Sequence, residues 1–192
     1  MTRTNPVNIA ASVHQKLLNV AHARIPLQID IGFSPRKSPG EHIEEIPSII
    51  DKSSAKILAY SRHAVIGEKM LAAITHGEYN SRMKDFYDIA MLSRRYDFTG
   101  ADMASGLHDA FTRDNVIVPA VFKLDIHMGE TRWKAFLRKS AAREVCTFEQ
   151  LCLEIEIFIN PLLAAMQQGK EQCLFWRAGG SWAKNAMRNA PP

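Results

Sequence analysis

Apolar positions along this chain of 192 residues follow two different periods, and the change of period divides it. Near the start, Ile9, Val13, Leu17 and Val20 recur at the spacing of one helix face. They follow Asn5-Pro6, a capping side chain and a proline suited to the first helical position. An amphipathic helix is expected from about Pro6 to His22. From Ile25 the period becomes two: Leu27, Ile29, Ile31 and Phe33 alternate with Gln28, Asp30 and Gly32, the pattern of a strand with one buried face and Asp30 on the other. Ser34 to Pro47 holds three prolines and Gly40 and reads as an irregular surface loop, with Ile57 to Tyr60 as one more short strand.

Beyond Ser61 the pattern is helical almost throughout. Helices are expected at Arg62 to His76, Met83 to Tyr96, Gly100 to Arg113, Thr131 to Arg143 and Thr147 to Gln168. Gly77 to Arg82 forms the turn between the first two, and Thr147 with Gln150 forms a capping box on the last. The stretch after Gly169, with Gly179-Gly180 and Pro191-Pro192, reads as a loosely held tail on which Phe175, Trp176 and Trp182 could dock. The expected fold class is α+β, mostly α, divided at residues 1–60, 61–168 and 169–192.

Composition narrows the class. With 46% hydrophobic and 23% charged residues, wholesale disorder is excluded, and the length suffices for a core without disulfides. Cys146, Cys152 and Cys173 contain no C-x-x-C pair, so neither a zinc finger nor a disulfide framework is indicated. Met1 to Asn8 lacks the apolar run of a signal peptide, and Leu151 to Met166 is interrupted by Glu154, Glu156, Asn160 and Pro161, so neither secretion nor a membrane span is expected and the location is cytoplasmic. A net charge of +4 fits a polyanionic partner but is common among small basic proteins.

The candidate chemistry comes from charges on the wrong face. On the helix from Arg62, stepping 100° per residue puts Lys69 between Val65 and Ile66, inside the apolar arc. On the helix from Met83 the same arithmetic places Asp85 between Ile89 and Leu92, with Asp88 at the edge. Either Lys69 and Asp85 meet in a shared cleft, or Lys69 snorkels to solvent and Asp85 bridges a neighbouring helix. Asp30 is either solvated or turned toward the same site, where a carboxylate would suit a divalent cation and a triphosphate. Arg132, Lys134, Arg138, Lys139 and Arg143 either follow an RNA backbone or form a solvated face. The seven histidines match no metal pattern, and Gly179-Gly180 lacks the surroundings of a phosphate loop.

The runs Ile25-Pro-Leu-Gln-Ile-Asp-Ile-Gly-Phe33, Ala59-Tyr60, Val65-Ile-Gly-Glu-Lys-Met70 and Asn80-Ser-Arg-Met-Lys-Asp-Phe-Tyr-Asp-Ile89 resemble the AbiEii/AbiGii toxin family of nucleotidyltransferases. The likeness continues through Arg94-Arg95-Tyr96-Asp97-Phe98 and to Trp176, Gly179-Gly180 and Trp182. It implies a nucleotidyltransferase-like α/β domain followed by a helical domain, with NTP and Mg²⁺ in the cleft between them. The family supplies toxins of type IV toxin–antitoxin and abortive-infection systems, and some members transfer nucleotides to tRNA ends. By resemblance, Lys69 contacts the nucleotide phosphates, Asp85 is a polar or acid-base residue of the site, and Asp30 is the later carboxylate of the metal-binding set. Glu68, Arg82, Lys84 and Asp88 orient their neighbours, with Arg82, Lys84 and Asp88 at the substrate.

The family's first motif, a Gly-Ser pair followed by Asp-x-Asp, has no counterpart here, since His22-Ala23-Arg24 runs directly into the later strand. A long internal piece is missing relative to the family pattern. One carboxylate in place of three implies weak Mg²⁺ binding and impaired turnover. Strands without their sheet partners imply that residues after Ser61 form the compact part while Met1 to Asp51 pack poorly. Two functions follow: shortened nucleotidyl transfer from NTP to RNA, or a non-catalytic helical module that binds an antitoxin or RNA.

Overall fold

The computed structural model describes residues 12–20, 23–31, 41–51, 53–76, 83–124, 126–140 and 146–184. The chain divides into two units, Met1–Lys37 and Ser38–Pro192. The class is α+β and mostly helical.

In the first unit, β1 (Ser12–Val20) pairs antiparallel with β2 (Ala23–Ile31), in register from Ser12 opposite Ile31 to Val20 opposite Ala23. The strand read from Ile25 is therefore present to Ile31. The helix expected from Pro6 to His22 is corrected: over Ser12–Val20 the backbone is a strand. Val13, Leu17 and Val20 satisfy a helical period, but β2 needs a hydrogen-bonding neighbour for its main chain, and that long-range demand overrides local periodicity.

The second unit opens with another hairpin, β3 (Glu41–Pro47) against β4 (Ser54–Tyr60), with Ile43 opposite Leu58 and Pro47 opposite Ser54. The short strand read at Ile57 to Tyr60 is found and begins earlier. The loop expected over Ser34 to Pro47 is corrected for Glu41–Pro47; Pro47, lacking an N–H, stands on an edge strand of a two-stranded sheet, where a proline is tolerated. The connection is closed by Ser48 N–H on the Ser53 carbonyl and by the Ser48 hydroxyl, which accepts from Ile50 and Asp51.

The helices α1 (Arg62–His76), α2 (Met83–Arg95), α3 (Gly100–Arg113), α4 (Ile126–Lys139) and α5 (Phe148–Gln167) follow the sequence reading closely, although α4 starts earlier than Thr131. The turn expected at Gly77 to Arg82 lies outside the described residues. Ser61 caps α1, its hydroxyl accepting from Ala64 N–H, and both halves of the Thr147/Gln150 capping box are present on α5.

Among the residues whose side chains are described, the buried apolar ones lie from Ala64 onward. At the centre is α5, whose Ile155, Phe158, Ile159 and Leu162 are fully buried together with Ile66, Ile89 and Met103 from three other helices. α1 and α3 approach at two glycines: a Cβ on Gly67 would stand 2.2 Å from the Gly106 carbonyl oxygen, and one on Gly106 would stand 2.5 Å from that of His63. Only residues without a side chain allow this backbone contact.

The loosely held tail is corrected over Glu171–Lys184. A 3-10 turn (Glu171–Cys173) leads into β6 (Leu174–Trp176) and β7 (Trp182–Lys184), which form a three-stranded sheet with β5 (Phe98–Thr99). Trp176 is buried and donates to the Ser93 carbonyl at 2.7 Å, and Trp182 donates to the Phe158 carbonyl at 2.6 Å. Their rings flank Phe158 with centroids 4.7 and 5.9 Å away, so the aromatic residues dock on the body.

Candidate functional site

The site begins with the crossing of α1 and α2. Ile66, Met70 and Ala73 tie α1 into the core, as Phe86, Ile89 and Ala90 do for α2. The helical period then turns Lys69 and Asp85 toward each other. The Lys69 ammonium donates to Asp85 Oδ1 at 2.8 Å and lies 2.8 Å from Asp88 Oδ2. The side chains are 17%, 14% and 23% exposed, so the cluster is largely withdrawn from water. Of the two readings left open, the inward pairing is the one observed, and Asp88 joins it. Lys84 completes the group with a 2.6 Å bond to Asp88.

Burial opposes the charged form of Lys69, but the hydrogen bonds to Asp85 and Asp88 outweigh it and hold its pKa above the ordinary 10.5. Burial likewise pushes Asp88 up, yet the bonds from Lys69 and Lys84 prevail and its carboxyl lies below the usual 3.8. The cluster sets the ammonium groups of Lys69 and Lys84 against the carboxyls of Asp85 and Asp88.

Beside it opens a cleft of about 380 Å³, lined by Lys69 and Asp85 together with Tyr60, Glu68, Thr75 and Asp114 and by apolar residues of α1. Glu68 has its own partner at this cleft. It takes a bidentate bond from Arg113 at the end of α3, the second branch at 2.7 Å, and so fixes α1 to α3 at the rim. Arg113, Tyr60 and Asp114 were not among the expected site residues. Arg113 is a cation in the last turn of its helix, where compensation of the helix dipole suffices to account for it, and nothing in the spacing of Tyr60 or Asp114 links them to Lys69.

Residues 5–150 match the family model of the nucleotidyl transferase AbiEii toxin of type IV toxin–antitoxin systems. The chain belongs to this family. No curated protein and no solved structure gives a significant match. The matched region contains Lys69, Asp85 and Asp88, which the structure brings together, and also Asp30 and Arg82, which it does not add to them. Asp30 stands on β2 opposite Val13, in the other unit, and only its backbone is described; Arg82 lies outside the described residues.

The donor set of this site does not fit a resident Mg²⁺. Asp88 Oδ2 and Asp85 Oδ1 are both engaged by ammonium groups. Among the described residues there is no group of three or more His, Cys, Asp or Glu side chains that could hold a metal ion. An oxygen-seeking dication would need carboxylates turned toward it. Among the described residues, no helix is long and apolar enough to cross a membrane.

Proposed function

We propose that this chain is a shortened nucleotidyltransferase whose Lys69 cleft receives the phosphates of an NTP, with RNA, such as a tRNA end, as acceptor. In that reaction an acceptor hydroxyl attacks the α-phosphorus, its proton passes to a base or to water, and pyrophosphate leaves. The observation that carries the reading is the Lys69 ammonium, held inward by Asp85 and Asp88 at the wall of a cleft on the family's own sequence run. A triphosphate entering the cleft competes with the two carboxylates for Lys69, and Asp85, once released, is placed to accept a proton. Lys84 and Asp88 orient this pair, and Arg82, close to them in sequence, is by resemblance a substrate-binding residue. By family resemblance Asp30 is the carboxylate assigned to a metal, while at the Lys69 cleft Mg²⁺ enters only as the counter-ion of the triphosphate and not as a resident ion. The domain reading that goes with it is a nucleotidyltransferase-like remnant over 1–60, a helical domain over 61–168 and an end segment over 169–192.

Turnover is proposed to be low, because the two carboxylates of the Asp-x-Asp motif are absent from the sequence and the metal-mediated electrostatic neutralisation they would support is the main contribution to phosphoryl chemistry. The ion-paired state of Asp85 and Asp88 favours a second reading, a non-catalytic module that binds RNA or a cognate antitoxin. Incubation with labelled NTPs and bulk RNA, with Lys69→Ala beside the wild type, separates the two. Incorporation that needs both Lys69 and added Mg²⁺ supports transfer. No incorporation by either protein, with RNA still bound, supports the module.

A further inference from the structure

A second cleft, of about 590 Å³, lies between the first turn of α2 and the α4 face. Its walls carry Lys84 from α2 and Arg132 and Lys139 from α4, with Phe136 between the last two. Arg132, Phe136 and Lys139 are spaced i, i+4 and i+7, so one stripe of α4 faces this space. α4 carries four cations and one acid, and hence most of the net charge of the whole chain. Asp85 lines this cleft and the Lys69 cleft alike, so the two cavities share a wall.

The dimensions select among anions. Arg132 and Lys139 are two turns apart, roughly 10 Å along the helix axis, which exceeds the reach of one phosphate and suits successive phosphates of a strand. Phe136 adds a flat apolar surface. Its ring is held against Trp133, centroids 5.3 Å apart and nearly parallel, and against Tyr87 at 5.7 Å. A fixed ring among cations is the arrangement on which a single-stranded base stacks, and an acidic peptide would make no use of it.

We infer that this cleft seats a single-stranded RNA, its backbone along Arg132 and Lys139 and a base against Phe136, with its end led over Asp85 toward Lys69. Lys84, already bonded to Asp88, couples the strand to the charge cluster. The name acceptor for this strand rests on the transfer reading above; the binding itself does not.

The test is fluorescence anisotropy of a labelled single-stranded oligoribonucleotide with the full chain at low and at physiological salt. The wild type is expected to bind in a salt-dependent manner, and Arg132→Gln with Lys139→Glu to weaken binding about tenfold. Arg138→Glu, which changes the net charge as much as Lys139→Glu on an exposed position outside the cleft, is expected to change it by no more than about twofold. Equal loss with Arg138→Glu, no binding by the wild type, or competition by polyglutamate as strong as by unlabelled RNA would each overturn the proposal. Lys69→Ala separates the two readings. It is expected to lose labelled NTP while keeping RNA, whereas the cleft variants lose RNA while keeping NTP. Unchanged NTP binding in Lys69→Ala refutes the nucleotide site and leaves the RNA cleft standing.

Discussion

The β3–β4 hairpin and the five-helix body belong to one compact unit yet are held together by different forces. The hairpin has seven paired positions, but among its described residues not one side chain is buried, and Ile43 is 67% exposed. In the body, Ile66 and Phe158 are at 0%. Main-chain pairing between two strands satisfies N–H and C=O groups without removing much apolar surface from water, so it contributes little net stability. Interlocked helices remove that surface wholesale. The charge cluster of Lys69, Asp85 and Asp88 stands entirely on the helical side of this contrast, and among the described residues only Tyr60 brings the hairpin to its cleft.

The contrast can be broken most directly by exchanging where the damage falls. Phe158→Ala is expected to destabilise the chain by about 3–5 kcal/mol, read from urea denaturation followed by circular dichroism. Ile43→Ala should stay within about 0.5 kcal/mol, and an equal loss would mean that the hairpin is part of the cohesive unit after all. Gly67→Ala should cost about 1–3 kcal/mol by forcing α1 and α3 apart, with Gly106→Ala behaving alike.

Lys69→Ala, which leaves Asp85 and Asp88 without their shared cation, is expected to cost roughly 1–2 kcal/mol, less than a deeply buried pair because the group is partly exposed. A second substitution, Asp88→Asn, should recover part of that loss. The pH profile sharpens the same point. Asp88 has a depressed pKa, so its contribution is present above 3.8 and is lost as pH falls through the lower folded value. Lys69 has a raised pKa, so its contribution is present below 10.5 and is lost as pH rises through the higher folded value. Melting temperatures across pH should therefore be flat in this respect between those limits, and Asp88→Asn should remove the Asp88 part of the acid limb alone. The smallest effect is on thiols: Cys152 is buried and its pKa is pushed up to about 12, chiefly by desolvation, whereas Cys173 is exposed. A thiol reagent should modify Cys173 in the folded protein and reach Cys152 only on unfolding.

The helices were legible because α1, α2, α3 and α5 each bury one stripe, and a stripe is a local pattern. The same stripe exposed Lys69 and Asp85 as misplaced charges. β1 and β3 were not legible, because a strand's reason for existing is its partner, and the Val13, Leu17, Val20 spacing suits a helix equally well. Asp88, at the edge of its arc, could be placed against Lys69 only by the angle between α1 and α2. Arg113 reaches Glu68 from forty-five residues away, a pairing that no local pattern contains.

All three tryptophans of the chain are pinned to main-chain carbonyls of the helical unit, Trp133 to Cys146, Trp176 to Ser93 and Trp182 to Phe158. Intrinsic emission is therefore a gauge wired to one part of the molecule. It will register loosening between α2 and α5 at once and stay silent while the β3–β4 hairpin opens.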